Sequence, residues 1–154
     1  MNIRIIPYRS EHHPIFKELN LEWLDHYNLT EGHDLMVLND PQGIILDGGG
    51  FMWLAEVDGQ IVGSAGLMKE KEDEYELVKM AVARTHRGNG ISKLLIEKCL
   101  EKAKEIGAKK ISLYSNHQLQ RAIGLYEKYG FHHVELVNSP LETADVRMEL
   151  NLRS

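Results

Sequence analysis

The chain has one cysteine, Cys99, among 154 residues, and a single thiol cannot form an internal disulfide. That suits a reducing compartment, and the cytoplasm is the expected location. No apolar run approaches the ~20 residues that a membrane span requires. The opening MNIRIIPYRSEHH lacks the long apolar stretch of a secretory leader. Basic residues do not predominate. Eighteen Lys and Arg against 23 Asp and Glu give a net charge of −5 with no basic stripe, which argues against a nucleic-acid partner. Four prolines are present, and no linker, repeat or low-complexity segment divides the chain. Eight histidines include the adjacent pairs His12-His13 and His132-His133, but neither pair has metal-ligand spacing, so no metal is expected.

What is present is an ordinary globular composition, 43% hydrophobic and 27% charged, on a length that suits a single domain spanning residues 1–154. Asn2–Tyr8 reads as a strand. Ser10 is a plausible helix cap, and Ile15, Phe16, Leu19, Trp23 and Tyr27 follow at helical spacing, predicting a helix over 10–28. A short helix over His33–Asn39 and a loop with Gly48-Gly49-Gly50 come next. FMWLAEVDGQIVGSAGLM places two β-rich runs around Asp58-Gly59, a strong hairpin signal, and EYELVKMAV adds a third antiparallel strand. Ile91, Leu94, Leu95, Cys99, Ala103 and Ile106 form the apolar face of a helix that Gly107 ends. KISLYS then follows closely enough to imply a parallel crossover. LQRAIGLYEKYG predicts another helix, with strands over Phe131–Val137 and Asp145–Leu150 to close. This order predicts an α/β (α+β) domain on one mixed, mostly antiparallel sheet of six or seven strands flanked by about four helices.

Between the third strand of that meander and its helix stands RTHRGNGISKLL. A helix start presents unpaired N–H groups and the positive end of the macrodipole, which stabilise an anion. Gly88 and Gly90 would let backbone approach a diphosphate, and Arg87 could add a donor fork. A nucleoside-triphosphatase loop is excluded because Ile91-Ser92 stands where Lys-Ser/Thr belongs. A dinucleotide fingerprint is excluded because Lys93 replaces its third glycine.

With Met80-Ala81-Val82 before it, Arg87-Gly88-Asn89-Gly90-Ile91-Ser92 resembles the acyl-CoA signature of the GNAT superfamily, the Gcn5-related N-acetyltransferases. Ala122-Ile123-Gly124-Leu125-Tyr126-Glu127-Lys128-Tyr129-Gly130-Phe131 is similar to a second and more specific block of that family. The resemblance implies a GNAT-like fold and acetyl-CoA as co-substrate. It implies direct acetyl transfer to a primary amine, either a small molecule or a peptide or protein amine. The cofactor would lie against Met80, Ala81, Val82, Arg87, Gly88, Asn89, Gly90, Ile91 and Ser92. Asn116, the candidate for a family asparagine whose usual place Leu119 occupies, is also expected to bind the cofactor. The family also allows a homodimer through the last two strands. The alternative is a non-catalytic domain that binds and senses acyl-CoA.

Acetyl transfer to an alkyl amine with a pKa of about 10 needs that amine deprotonated, at a cost of about 4 kcal/mol at neutral pH. Glu76 is the nominated base. Strand alternation puts it on the face of Val78, Met80 and Val82, although Glu72, Asp73 and Glu74 beside it also fit a solvated, frayed strand start. The oxyanion would find a backbone N–H near Ala81 and Val82. Tyr126, matching the family tyrosine, is the nominated acid for the departing thiolate. Its spacing from Ile123 and Tyr129 equally suits a packed face.

Overall fold

The computed structural model describes residues 1–152. Seven strands form one sheet: β1 (Ile3–Pro7), β2 (Phe51–Val57), β3 (Gln60–Lys71), β4 (Glu74–Val82), β5 (Lys110–Ser115), β6 (His132–Val134) and β7 (Val146–Asn151). Their spatial order is β1-β2-β3-β4-β5-β7-β6, and every neighbouring pair is antiparallel except β4 with β5. Four α-helices accompany them: α1 (His13–His26), α2 (Gly32–Asn39), α3 (Ile91–Glu105) and α4 (Gln120–Lys128). This is the mixed sheet that the sequence predicts. Asp58 and Gly59 both take positive φ, as a tight hairpin turn of that hand requires.

The helix expected over 10–28 is divided. Ser10–His12 forms a 3-10 turn and α1 begins at His13, so that Pro14 falls in the first turn, where its missing N–H costs nothing. The apolar face of α3 is rotated from the predicted one. Leu94 is 37% exposed, while Ile96 and Leu100 are buried beside Leu95 and Cys99. β6 is shorter than its predicted run. Phe131 donates its N–H back to Tyr126 and plugs the core as the end of the α4 turn, leaving three residues to pair with β7.

Two apolar cores sandwich the sheet. α3 and α4 cover one face through Trp53, Leu67, Leu77, Leu95, Ile111 and Met148. α1 and α2 cover the other through Phe16, Val37, Leu38, Met52 and Leu54. The feature that makes a site is the short union of β4 with β5. They pair at Glu74–Lys110, Tyr75–Ile111 and Glu76–Ser112, and beyond Glu76 the ladder ends while β4 continues to Val82. A ligand crevice at the carboxyl ends of diverging parallel strands is the expected result.

Candidate active site

The wall of that crevice is shaped by a fault in β4. Val78 faces Gly66 and Ala81 faces Ser64, so Lys79 and Met80 together oppose Ala65, and Lys79 takes φ +52. This bulge reverses the alternation. Glu76 and Val78 face the α1–α2 side, but Met80 and Val82 pack into the α3 core, contrary to the shared face that simple alternation predicts. A buried chain holds the fault in place. Ser64 Oγ donates to the Lys79 carbonyl at 2.7 Å and accepts from Asn20 Nδ2 at 3.0 Å, and Asn20 Nδ2 also lies 3.0 Å from the Phe16 carbonyl. The Lys79 ammonium in turn reaches Asp34 Oδ1 on α2 at 2.6 Å. No sequence pattern pointed to Asn20, Asp34 or Lys79. A polar residue at an inward helical position, and a serine within VGSAGL, were the available signals.

After β4 the chain makes a 3-10 turn at Arg84–His86 and enters the glycine loop. Gly88 has φ +81 and Gly90, at the start of α3, has φ +78. A Cβ at either would meet nothing within 4 Å, so backbone conformation demands glycine there and open space lies beside it. The first N–H groups of the 15-residue α3 face that space without intrahelical acceptors. Ile91 is buried and anchors the helix start, Ser92 is half-buried, and Asn89 Nδ2 donates to the His86 carbonyl at 3.2 Å. Arg87 is folded inward. Its Nε donates to the Val82 carbonyl at 3.3 Å, its guanidinium lies 4.6 Å from the Trp23 ring centroid, and its buried Nη2 has no partner among the described residues. The loop thus leaves open space beside an electropositive helix start, with the unpartnered guanidinium nitrogen of Arg87 buried inward of it. That combination fits the diphosphate of a CoA thioester.

Glu76 sits where the β4–β5 ladder ends, 8% exposed. It is register-paired to Met68 on one side and Ser112 on the other, so it belongs to the sheet and not to a frayed start. Together with His33, Met68, Val78, Lys79 and Leu141 it lines a small cavity of about 30 Å³, room for about one water. Burial, reinforced by a hydrogen bond and the like charge from Glu70, pushes its carboxyl up to about 9, against the opposing charges of Lys79 and Arg147.

Tyr126 lies on the other face of the sheet. It is 8% exposed, packed with Ile123, Cys99 and Phe131, the two rings 5.9 Å apart. Burial foremost raises its phenol far above the ordinary tyrosine range. The sheet therefore separates Glu76 from Tyr126, and the opening between β4 and β5 is the gap in it. Tyr129 is a packing residue whose hydroxyl donates to Glu97 at 2.9 Å.

At the end of β5, Asn116 is buried and committed to the chain itself. Its Nδ2 donates to the Thr143 carbonyl at 2.7 Å and its Oδ1 accepts from Gln118 N–H at 3.0 Å. The Glu31 carboxylate, just before α2, takes the N–H groups of Glu142 and Thr143 at 2.9 and 2.8 Å. These bonds fasten Glu142 and Thr143 of the 138–145 segment to the start of α2 and the end of β5, and Leu141 of that segment lines the same small cavity as Glu76. Among the described residues no cluster of three His, Cys, Asp or Glu side chains could hold a metal, and no helix is long and apolar enough to cross a membrane.

Comparison with known proteins places this architecture. The model of the acetyltransferase (GNAT) family matches residues 12–131. The uncharacterized N-acetyltransferase YjgM of Escherichia coli K12 is 37% identical over 86 residues, which is 54% of this chain and 52% of that protein. The chain thus spans about half the length of that relative. A GNAT-family acetyltransferase from Staphylococcus aureus Mu50 superposes with a TM-score of 0.91 at 26% identity, covering 99% of this chain and all of the other. The PaiA N-acetyltransferase of Thermoplasma acidophilum, solved in complex with coenzyme A, gives 0.79 at 18% identity over 98% and 99% of the two chains.

Proposed function

Because this chain belongs to the acetyltransferase (GNAT) family, we propose that it moves an acetyl group from acetyl-CoA directly to a primary amine. One observation carries the reading. The crevice left where β4 and β5 part has an anion cradle at one end, in Gly88 and Gly90, and a buried carboxyl on its acceptor side, in Glu76. A domain that merely senses acyl-CoA would need the first and not the second.

Bound acetyl-CoA supplies a thioester, an acyl group already activated toward amines. The N–H groups of residues 88–92 and the dipole of α3 hold its diphosphate, with Arg87 Nη2 as an additional donor. The edge of β4 from Leu77 to Val82, released from β5, offers backbone N–H groups to the acyl oxygen and to the amide-bearing arm of the co-substrate. The bulge at Lys79 aims that edge. Met80 and Val82, packed toward α3, shape the same wall. On the opposite side Glu76 accepts the ammonium proton, so the free amine reaches the carbonyl, and Tyr126 supplies the proton for the departing sulfur. Asn116 fastens the 138–145 segment to the end of β5.

The test is thiol release from acetyl-CoA by the purified protein with a panel of n-butylamine, spermidine, free lysine and an unblocked peptide. Amine-dependent release supports the reading. Tight acetyl-CoA binding with no release on any panel member favours the sensing domain.

A further inference from the structure

We propose that Glu70 is the proton exit of this site: the proton that Glu76 takes from the acceptor passes to the Glu70 carboxylate and leaves from there to solvent. The inference rests on Glu76 being the base. Glu70 lies on β3 two residues beyond Met68, the register partner of Glu76, which makes it a diagonal cross-strand neighbour of Glu76. The ladder pairs Lys69 with Tyr75 and Lys71 with Glu74, so Glu70 is the additional residue of a second bulge, and its carboxyl is among the groups that raise that of Glu76. Two carboxyl groups share a hydrogen bond only when one of them carries a proton, because an ionised carboxylate is an acceptor alone. One member of this pair is buried against a cavity and the other is exposed. A proton passed from Glu76 to Glu70 therefore travels from the site to water.

The other groups that face Glu76 give the proton no comparable outlet. Lys79, on the same strand, is taken up by Asp34 of α2 at 2.6 Å. Arg147 of β7 lies 4.8 Å from the ring centroid of Tyr114 on β5 and 3.6 Å from Glu149. Both cations donate and do not accept. The Tyr114 phenol is raised, mainly by burial, and has no use for a second proton. His33 of α2, across the cavity, is the one competing acceptor.

The balance closes. Glu76, whose carboxyl is raised to about 9, must lose its own proton through Glu70 before it can act as a base. The ammonium then loses a proton to Glu76, a C–N bond forms and the C–S bond breaks. Of the two protons that nitrogen loses on becoming an amide, one replaces the proton that Tyr126 gives to the CoA thiol and one leaves through Glu70. Each turnover thus releases one proton to solvent, and the pair returns to its starting state.

Titration of the glutamate carboxyls by NMR in protein labelled with carbon-13 at Cδ tests the pairing without any acceptor. Glu70→Gln, at an exposed position, should lower the Glu76 midpoint by about one pH unit or more. An unmoved midpoint overturns the pairing and with it the exit. Kinetics on the panel amine turned over fastest tests the transfer. Glu70→Gln should lower kcat by about tenfold, leave the KM for acetyl-CoA unchanged, and recover with added imidazole as a surrogate proton carrier. Wild-type kcat in Glu70→Gln, or imidazole rescue confined to His33→Gln, overturns the exit while leaving the base in place. Wild-type kcat in Glu76→Gln removes the base itself, a separate result.

Discussion

Lys79 Nζ lies 2.6 Å from Asp34 Oδ1, with the Asp34 side chain buried and that of Lys79 only 11% exposed. Lys79 is also the residue at which β4 takes left-handed backbone and reverses its alternation. A single residue thus carries both the fault that shapes the crevice and the tie that fixes α2 to it. From the opposite side the Ser64 hydroxyl grips its carbonyl. This wall of the crevice is positioned by polar contacts set within an otherwise apolar layer.

Removing one partner of such a pair leaves a buried charge uncompensated. Asp34→Ala should cost about 3–5 kcal/mol in denaturant unfolding. The double variant Asp34→Leu, Lys79→Met should recover most of that loss, because no orphaned ammonium remains. Equal losses in the single and double variants would show that the pair is solvated and unimportant.

Glu76 links the chemistry to stability with opposite signs. Its carboxyl is raised to about 9 in the folded state from an ordinary value near 4.5, so the native protein holds this proton more tightly than the unfolded chain. The stability it contributes is complete below about 4.5 and declines as pH climbs toward 9, by up to about 1.4 kcal/mol per pH unit. Glu76→Gln, which cannot ionise, should therefore raise Tm at pH 8 and give little gain at pH 4.5. A gain of the same size at both values would contradict the assignment.

The same substitution should depress turnover most at neutral pH, by about 100-fold, and least at alkaline pH, where free amine is plentiful. Initial rates measured from pH 6 to 10, a range spanning the carboxyl and approaching the amine, are the check. A deficit independent of pH would remove Glu76 from proton transfer.

Tyr126→Phe deletes one hydroxyl from a packed site and should leave the fold intact. Turnover should fall by about tenfold or more, with acetyl-CoA affinity unchanged by calorimetry. Unaltered rates across the pH range would leave Tyr126 as a core aromatic beside Phe131.

Local chemistry made much of this legible in the sequence. Asp58-Gly59 announces its hairpin because few residues tolerate that backbone, and Gly107, at φ +75, ends α3 for the same reason. The glycine loop is visible because its conformation and its position before a helix are both local properties. The bulge at Lys79 is different. It arises from pairing between β3 and β4, leaves no mark in composition, and undermines any face assigned by alternation beyond it. Asn20 with Ser64, and Asp34 with Lys79, are joined across 44 and 45 residues, so neither contact could be read from spacing. Arg87 lying over Trp23 joins a loop and a helix whose packing follows from the whole sheet. The orphaned Nη2 that results is a structural discovery, although the arginine itself was already marked.

The most direct test of the central claim is calorimetric titration of acetyl-CoA into the wild-type protein and into Gly88→Glu, Gly90→Glu. Side chains at these positions meet open space, so the variant should remain folded while its two left-handed residues are strained and its carboxylates repel a diphosphate. The account predicts micromolar binding by the wild type and none by the variant. Absent wild-type binding, or equal binding by both, would contradict the reading of this loop as the acetyl-CoA cradle.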